Sequence, residues 1–270
     1  MGNSSVTKGN DDVSSMPSKS RTVWEMCCVL LLSYGLSAAY SLVKIIDRLS
    51  QPTPLNQQTA TINQPLAHRE IFDLLYQLLG VVSGLAPVLL VLFVLWRDRA
   101  PHLASLGLTA PRGWRSIGRD SLLGLGLAAA IGIPGIGVYL AGRALNLGAT
   151  VVPTALDTYW WTVPVLILWA IRAGLGEEII VVGYLFHRLG QLGWKPWVIV
   201  VSAAVLRGTY HLYQGPGAFV GNLAMGLIFG YIYLRTQRIA PLIAAHVIID
   251  TAAFVGYPYA AMAWPGVFGS

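Results

Sequence analysis

Five ionisable side chains fall inside apolar stretches toward the C-terminal end of the sequence: Glu177, Glu178, His211, His246 and Asp250. A charge at the centre of a membrane helix costs roughly 3 kcal/mol by the mildest scales, so side chains kept in such places have a use. A carboxylate beside a histidine can take a proton from water and pass it on. The same groups ligate zinc, with His211, His246 and Glu177 as the possible set. His246 and Asp250 are four residues apart, so a helix puts them on one face. Glu177 and Glu178 are about 100° apart on an α-helix, so one should face the site and the other should need a different partner. Counted from the nearest basic loop, helical rise puts Glu177 roughly 15 Å deep, His211 roughly 22 Å, and His246 and Asp250 roughly 12 and 18 Å. A meeting point near mid-membrane follows.

The elements that must hold these groups are apolar helices. The chain has 270 residues, of which 55% are hydrophobic and 11% charged, against about 25% charged in a soluble domain. Mean hydropathy is +0.60. The expected fold is all-α, a polytopic transmembrane bundle of seven to eight spans. Residues 1–23 read as a disordered polar tail. Residues 24–143 read as N-terminal spans (24–46, 71–96 and 120–141) with a polar segment at 47–69 and a basic loop at 97–119. Residues 159–255 hold the candidate site on spans 159–186, 197–213, 218–234 and 239–255. Residues 256–270 read as an interfacial C-terminal segment. At 1.5 Å per residue, 159–186 reaches about 42 Å against a hydrocarbon core of about 30 Å. It is either one tilted, kinked span or a re-entrant piece followed by a helix, bending at Gly174 and Gly176. The Gly226-x-x-x-Gly230 pair predicts close helix packing.

Net charge is +6. The arginines sit in short loops beside spans, where they set topology and meet anionic lipid, so nucleic acid is not an expected partner. An inside N-terminus puts loops 97–119, 187–195 and 235–238 on the cytoplasmic side and the Gly215-Pro216-Gly217 turn outside. Lys44, Arg48 and Arg69 then break the rule. The expected location is a bacterial plasma membrane. Cys27 and Cys28 are adjacent, give neither a disulfide framework nor a zinc spacing, and read as small buried thiols.

Three motifs occur in order on separate spans: Glu177-Glu178 with Gly183-Tyr184-Leu185; His211 in Tyr210-His211-Leu212-Tyr213-Gln214-Gly215; and His246-x-x-x-Asp250. Over about 159–255 this resembles the CPBP family, the CAAX-protease and bacteriocin-processing intramembrane proteases related to the Rce1-type prenyl-protein endopeptidases. The resemblance implies that Glu177 activates water and that His211 helps hold it. It implies that His246 and Asp250 stabilise an oxyanion or ligate a metal, in a water-filled cavity open to the cytosol. The preferred mechanism is glutamate-based and needs no cofactor; a zinc-dependent variant stays open.

Two positions depart from the family pattern. Val182 stands where the first motif has arginine, and Arg207 where the second has an aromatic residue. Arg207 is therefore expected to pair with Glu178 across helices, with Arg172 as a competing partner. Asn222, an amide inside a span, suits a helix–helix hydrogen bond, with an oxyanion donor as its second use. Tyr210, Tyr213 and Gln214 read as interface residues. The function expected is an intramembrane endopeptidase acting on a membrane-bound peptide or protein, with lipid as the other partner; nothing in the sequence sets an oligomeric state. The alternatives are a non-catalytic scaffold or immunity protein that keeps the fold, and a proton-coupled transporter, which the lack of an inverted repeat disfavours.

Overall fold

Helices account for nearly all of the architecture, as a computed structural model describes it for residues 18–98 and 114–265. The tail at 1–17, the centre of the 97–119 loop and residues 266–270 lie outside the described residues. In order the elements are α1 (Lys19–Leu31), α2 (Tyr34–Ser50), β1 (Thr59–Asn63), α3 (Glu70–Asp98), α4 (Trp114–Ala144), β2 (Thr150–Thr154), α5 (Thr162–Glu177), a π-helical segment (Glu178–Tyr184), α6 (Leu185–Gln191), α7 (Pro196–His211), α8 (Pro216–Thr236) and α9 (Ala240–Ala263). Local chemistry accounts for several starts. Ser18 caps α1 by accepting from the Arg21 amide, and proline opens both α7 and α8.

By length and composition, α3, α4, α8 and α9 can each cross a membrane, and the α1–α2 pair makes a fifth crossing if counted as one span. The seven to eight expected from sequence are not reached by this measure. The shortfall falls on α7, of 16 residues or about 24 Å of rise, and on α5, whose 16 α-helical residues continue as π helix rather than as one long α-helix; these helices carry polar groups of the site.

Four features differ from the expectation. First, α1 takes in residues 19–23, assigned above to the tail, and a 52° bend between α1 and α2 breaks the first span. At the break the Ser33 hydroxyl bonds the Val29 carbonyl at 2.6 Å, a local bond that competes with helix propagation. Second, the polar segment is ordered. β1 pairs in parallel with β2, Thr59 opposite Thr150 and Asn63 opposite Thr154, so the all-α bundle carries one small sheet. Arg48 anchors it, donating to Gln58 at 3.2 Å and to the Thr59 carbonyl at 2.9 Å. One exception to the charge rule is thereby explained, since Arg48 is a buried structural donor. Third, Arg115 and Arg119 lie in α4 and Tyr257 and Tyr259 in α9, so the basic loop and the C-terminal segment are shorter than expected. Fourth, Cys27 and Cys28 are exposed on α1; they share the outward face with Trp24 and Leu31.

The 159–186 question resolves into one helical run, α5 through the π segment to α6. Gly174 and Gly176 are contact points in it. A Cβ on Gly174 would stand 2.8 Å from Val247 of α9, and one on Gly176 would collide with the Tyr34 hydroxyl. Close approach also joins α7 to α8 at Gly226, where a Cβ would meet Ala204 at 2.8 Å, and α4 to α9 at Gly124, where it would meet Ala244 at 2.6 Å. These are the small-residue contacts that let helices pack without a hydrophobic driving force.

Candidate active site

Three elements converge. The end of α5 and start of the π segment supply Glu177 and Glu178; α7 supplies Arg207, Tyr210 and His211; α9 supplies His246 and Asp250. On α7 the three residues recur at i, i+3 and i+4, one helix face. π-helical turns inside α-helices are rare and recur at functional sites, and this one starts at Glu178.

Glu178 is the hub. Its side chain is 0% exposed, and its Oε1 accepts from Arg207 Nη2 at 2.6 Å and meets His246 Nδ1 at 2.7 Å. The cross-helix pair with Arg207 is as expected. Arg172 instead sits 5.5 Å from the Trp169 ring and packs on Gly84. Arg207 is 1% exposed, with its guanidinium 5.5 Å from the Phe229 ring. Its Nη2 is also 3.9 Å from Glu177 Oε2. The two glutamates thus share one cation, against the expectation that they diverge. The helix changes from α to π geometry between them, and one guanidinium is long enough to reach both.

Glu177 is also buried. Tyr210 donates its hydroxyl to Oε2 at 2.6 Å, and His211 Nε2 stands 3.8 Å from Oε1. His246 Nε2 faces Asp250 Oδ2 at 3.5 Å, which is long for a strong hydrogen bond. His211 and Asp250 are the most accessible members, at 23% and 22%. Glu178 Oε2 and the Nε and Nη1 of Arg207 find no protein hydrogen-bond partner among the described residues.

Glu177, His211, Glu178, Arg207, His246 and Asp250 are therefore brought together in one linked cluster. Asn222 is not joined to it by a hydrogen bond. Its amide donates to the Ala218 carbonyl of its own helix at 3.0 Å, where a bond to another helix was expected. Tyr210, read from sequence as an interface residue, is buried against the carboxylate of Glu177. Its signal was its place on the face that Arg207 and His211 share. Tyr34 is the other member missed. It opens α2, and its ring lies 4.8 Å from that of Tyr210. No motif marks it.

A zinc site would need three protein donors with neighbouring ligand atoms about 3.3 Å apart, as tetrahedral bonds of about 2.0–2.1 Å require. The cluster offers Glu177 with His211, and His246 with Glu178 on one ring nitrogen and with Asp250 on the other, so the two carboxylates at His246 lie on opposite sides of its ring. Among the described residues no three His, Cys, Asp or Glu side chains are grouped to hold a metal ion. The His211, His246 and Glu177 set does not fit one.

Residues 159–252 match the family described as type II CAAX prenyl endopeptidase Rce1-like. The C-terminal part of this chain is thus similar to that family. The match covers about a third of the chain and contains every residue of the cluster except Tyr34. No curated protein and no solved structure matches the chain. The matched segment sits within an all-α bundle of membrane type, and the preceding helices α1 to α4 pack around it. Arg188 of α6 shows how firmly. It was placed in a cytoplasmic loop from sequence, yet it is buried at 0% exposure and grips Glu25 of α1, Nε to Oε1 at 2.7 Å and Nη2 to Oε2 at 3.1 Å. Tyr184 donates to the same carboxylate at 2.8 Å.

Proposed function

We propose that the protein is an intramembrane endopeptidase that hydrolyses a peptide bond of a membrane-bound peptide or protein by glutamate-activated water, without a cofactor. The observation that carries this reading is the split of the Glu177 carboxylate, with Oε2 held by Tyr210 and Oε1 turned to His211. A water beside Oε1 and His211 Nε2 gives its proton to Glu177, and its oxygen attacks the substrate carbonyl. His246 lies between Glu178 and Asp250 and is written as an imidazolium. Its bond to Asp250 is the weaker of the two, so Nε2–H can turn to the oxygen that becomes negative. Collapse of the tetrahedral species breaks the C–N bond, and the proton on Glu177 passes to the leaving amine, assisted by His211. Arg207 fixes Glu178 and so the orientation of His246. The unfilled donors of Arg207 and the unfilled Glu178 oxygen give a polar capacity suited to bound water at this depth. The protein is read as resident in a bacterial plasma membrane with its N-terminus cytoplasmic. A prenylated substrate is not part of the proposal, because nothing in the cluster selects a lipid chain.

The test uses purified protein in lipid vesicles against a panel of membrane peptides, with Glu177→Gln and with chelator. Cleavage that persists in chelator and disappears in Glu177→Gln is the expected result. Cleavage that chelator abolishes and zinc restores would overturn the cofactor-free mechanism. Unchanged cleavage in Glu177→Gln would overturn the assignment of the base.

A further inference from the structure

A carboxylate used as a base must present one lone pair in a fixed direction, yet the last torsion of a glutamate is broad and roughly two-fold. In this cluster the two oxygens of Glu177 have different surroundings. Oε2 receives the Tyr210 hydroxyl at 2.6 Å and faces Arg207 Nη2 at 3.9 Å. Oε1 faces His211 Nε2 at 3.8 Å. We propose that Tyr210 is a positioning residue that holds Oε2 and leaves Oε1 as the working oxygen. The inference rests on Glu177 being the base.

The tyrosine is itself fixed on both sides. Its ring lies 4.8 Å from that of Tyr34 and 4.9 Å from that of His211, and the whole residue is buried. Tyr34 reaches further, since its hydroxyl lies where a side chain on Gly176 would begin. The same aromatic residue therefore backs Tyr210 and packs on the backbone next to Glu177. Glycine at 176 is what admits it. A short O–H···O bond to a carboxylate is charge-assisted and about twice as strong as a neutral one, which suffices to hold the carboxylate plane at one angle of that broad torsion. Through this contact α2, outside the Rce1-like match, acts on the base.

Tyr210→Phe keeps the ring and its stacking and removes only the hydroxyl. The expected result is a kcat lower by about ten- to a hundred-fold, the range of one hydrogen bond to a charged group, with KM within about two-fold and thermal stability near wild type. Because both changes act through one carboxylate, Tyr210→Phe in a Glu177→Gln background should have no further effect. Infrared difference spectra give a readout without substrate: Tyr210→Phe should shift a carboxylate stretching band, and the shift should vanish in the Glu177→Gln background. A wild-type kcat in Tyr210→Phe beside an inactive Glu177→Gln overturns the positioning role and leaves the base assignment standing. An active Glu177→Gln overturns the base assignment itself. A carboxylate band unmoved by Tyr210→Phe overturns the hydrogen bond on which the positioning role depends.

Discussion

Arg207→Met is the perturbation that tests the arrangement most directly, because it strands a carboxylate. Glu178 and Arg207 are 0% and 1% exposed and meet at 2.6 Å. At an effective dielectric constant near 20, charge centres about 4 Å apart attract by about 4 kcal/mol. Removing one partner of a buried pair costs about 3–5 kcal/mol, most of it the penalty of leaving the other charge unpaired. His246 stays on the same Glu178 oxygen at 2.7 Å, so the expected cost lies at the lower end, about 3 kcal/mol. Arg207→Met with Glu178→Gln removes the stranded charge as well, and the pair together should lie within about 1 kcal/mol of wild type. The coupling energy of the cycle is then about 2 kcal/mol or more. The assay is equilibrium unfolding in mixed detergent micelles for all four members of the cycle. A single mutant within about 0.5 kcal/mol of wild type, or a double mutant whose loss is the sum of the two singles, would refute the reasoning.

Two further outcomes follow from contacts outside that pair. Glu25→Gln turns a two-pronged charged contact with Arg188 into a neutral one and should destabilise the fold by about 2 kcal/mol; faster proteolysis within α1 than elsewhere would show it, and unchanged proteolysis would count against a tether at Arg188. Gly174→Val places side-chain carbons against Val247, where even a Cβ would stand at 2.8 Å. It should push α5 from α9 at a cost of about 1–3 kcal/mol and lower cleavage by drawing Glu178 away from His246, whereas Gly126→Val, on an open face of α4, should leave cleavage unchanged.

The polar residues of the site were legible because charge in an apolar run is costly and therefore stands out. The Arg207–Glu178 pair was legible for the same reason, since a cation four residues before His211 at matching depth has few partners. Other features had no such mark. The β1–β2 pairing joins two five-residue segments about ninety positions apart, and no local pattern records so distant a register. Arg188 reads as a loop cation until Glu25, far away in the chain, is seen to meet it. Tyr210 reads as an interface residue and nothing in the sequence marks Tyr34; both join the cluster only through packing.

Hydropathy and charge spacing, which are local, fixed that this chain is a helical bundle of membrane type and which side chains in it could do chemistry. The tertiary structure decided how those side chains are connected. Sequence spacing sent Glu177 and Glu178 in different directions, but one guanidinium from α7 reaches both. Sequence also put His246 and Asp250 on one helix face, and packing of α5 on α9 at Gly174 gave the other nitrogen of His246 to Glu178. The physical reason is distance along the chain: each side-chain contact to Glu177 and Glu178 joins helices whose residues lie tens of positions apart, and only packing determines which faces meet.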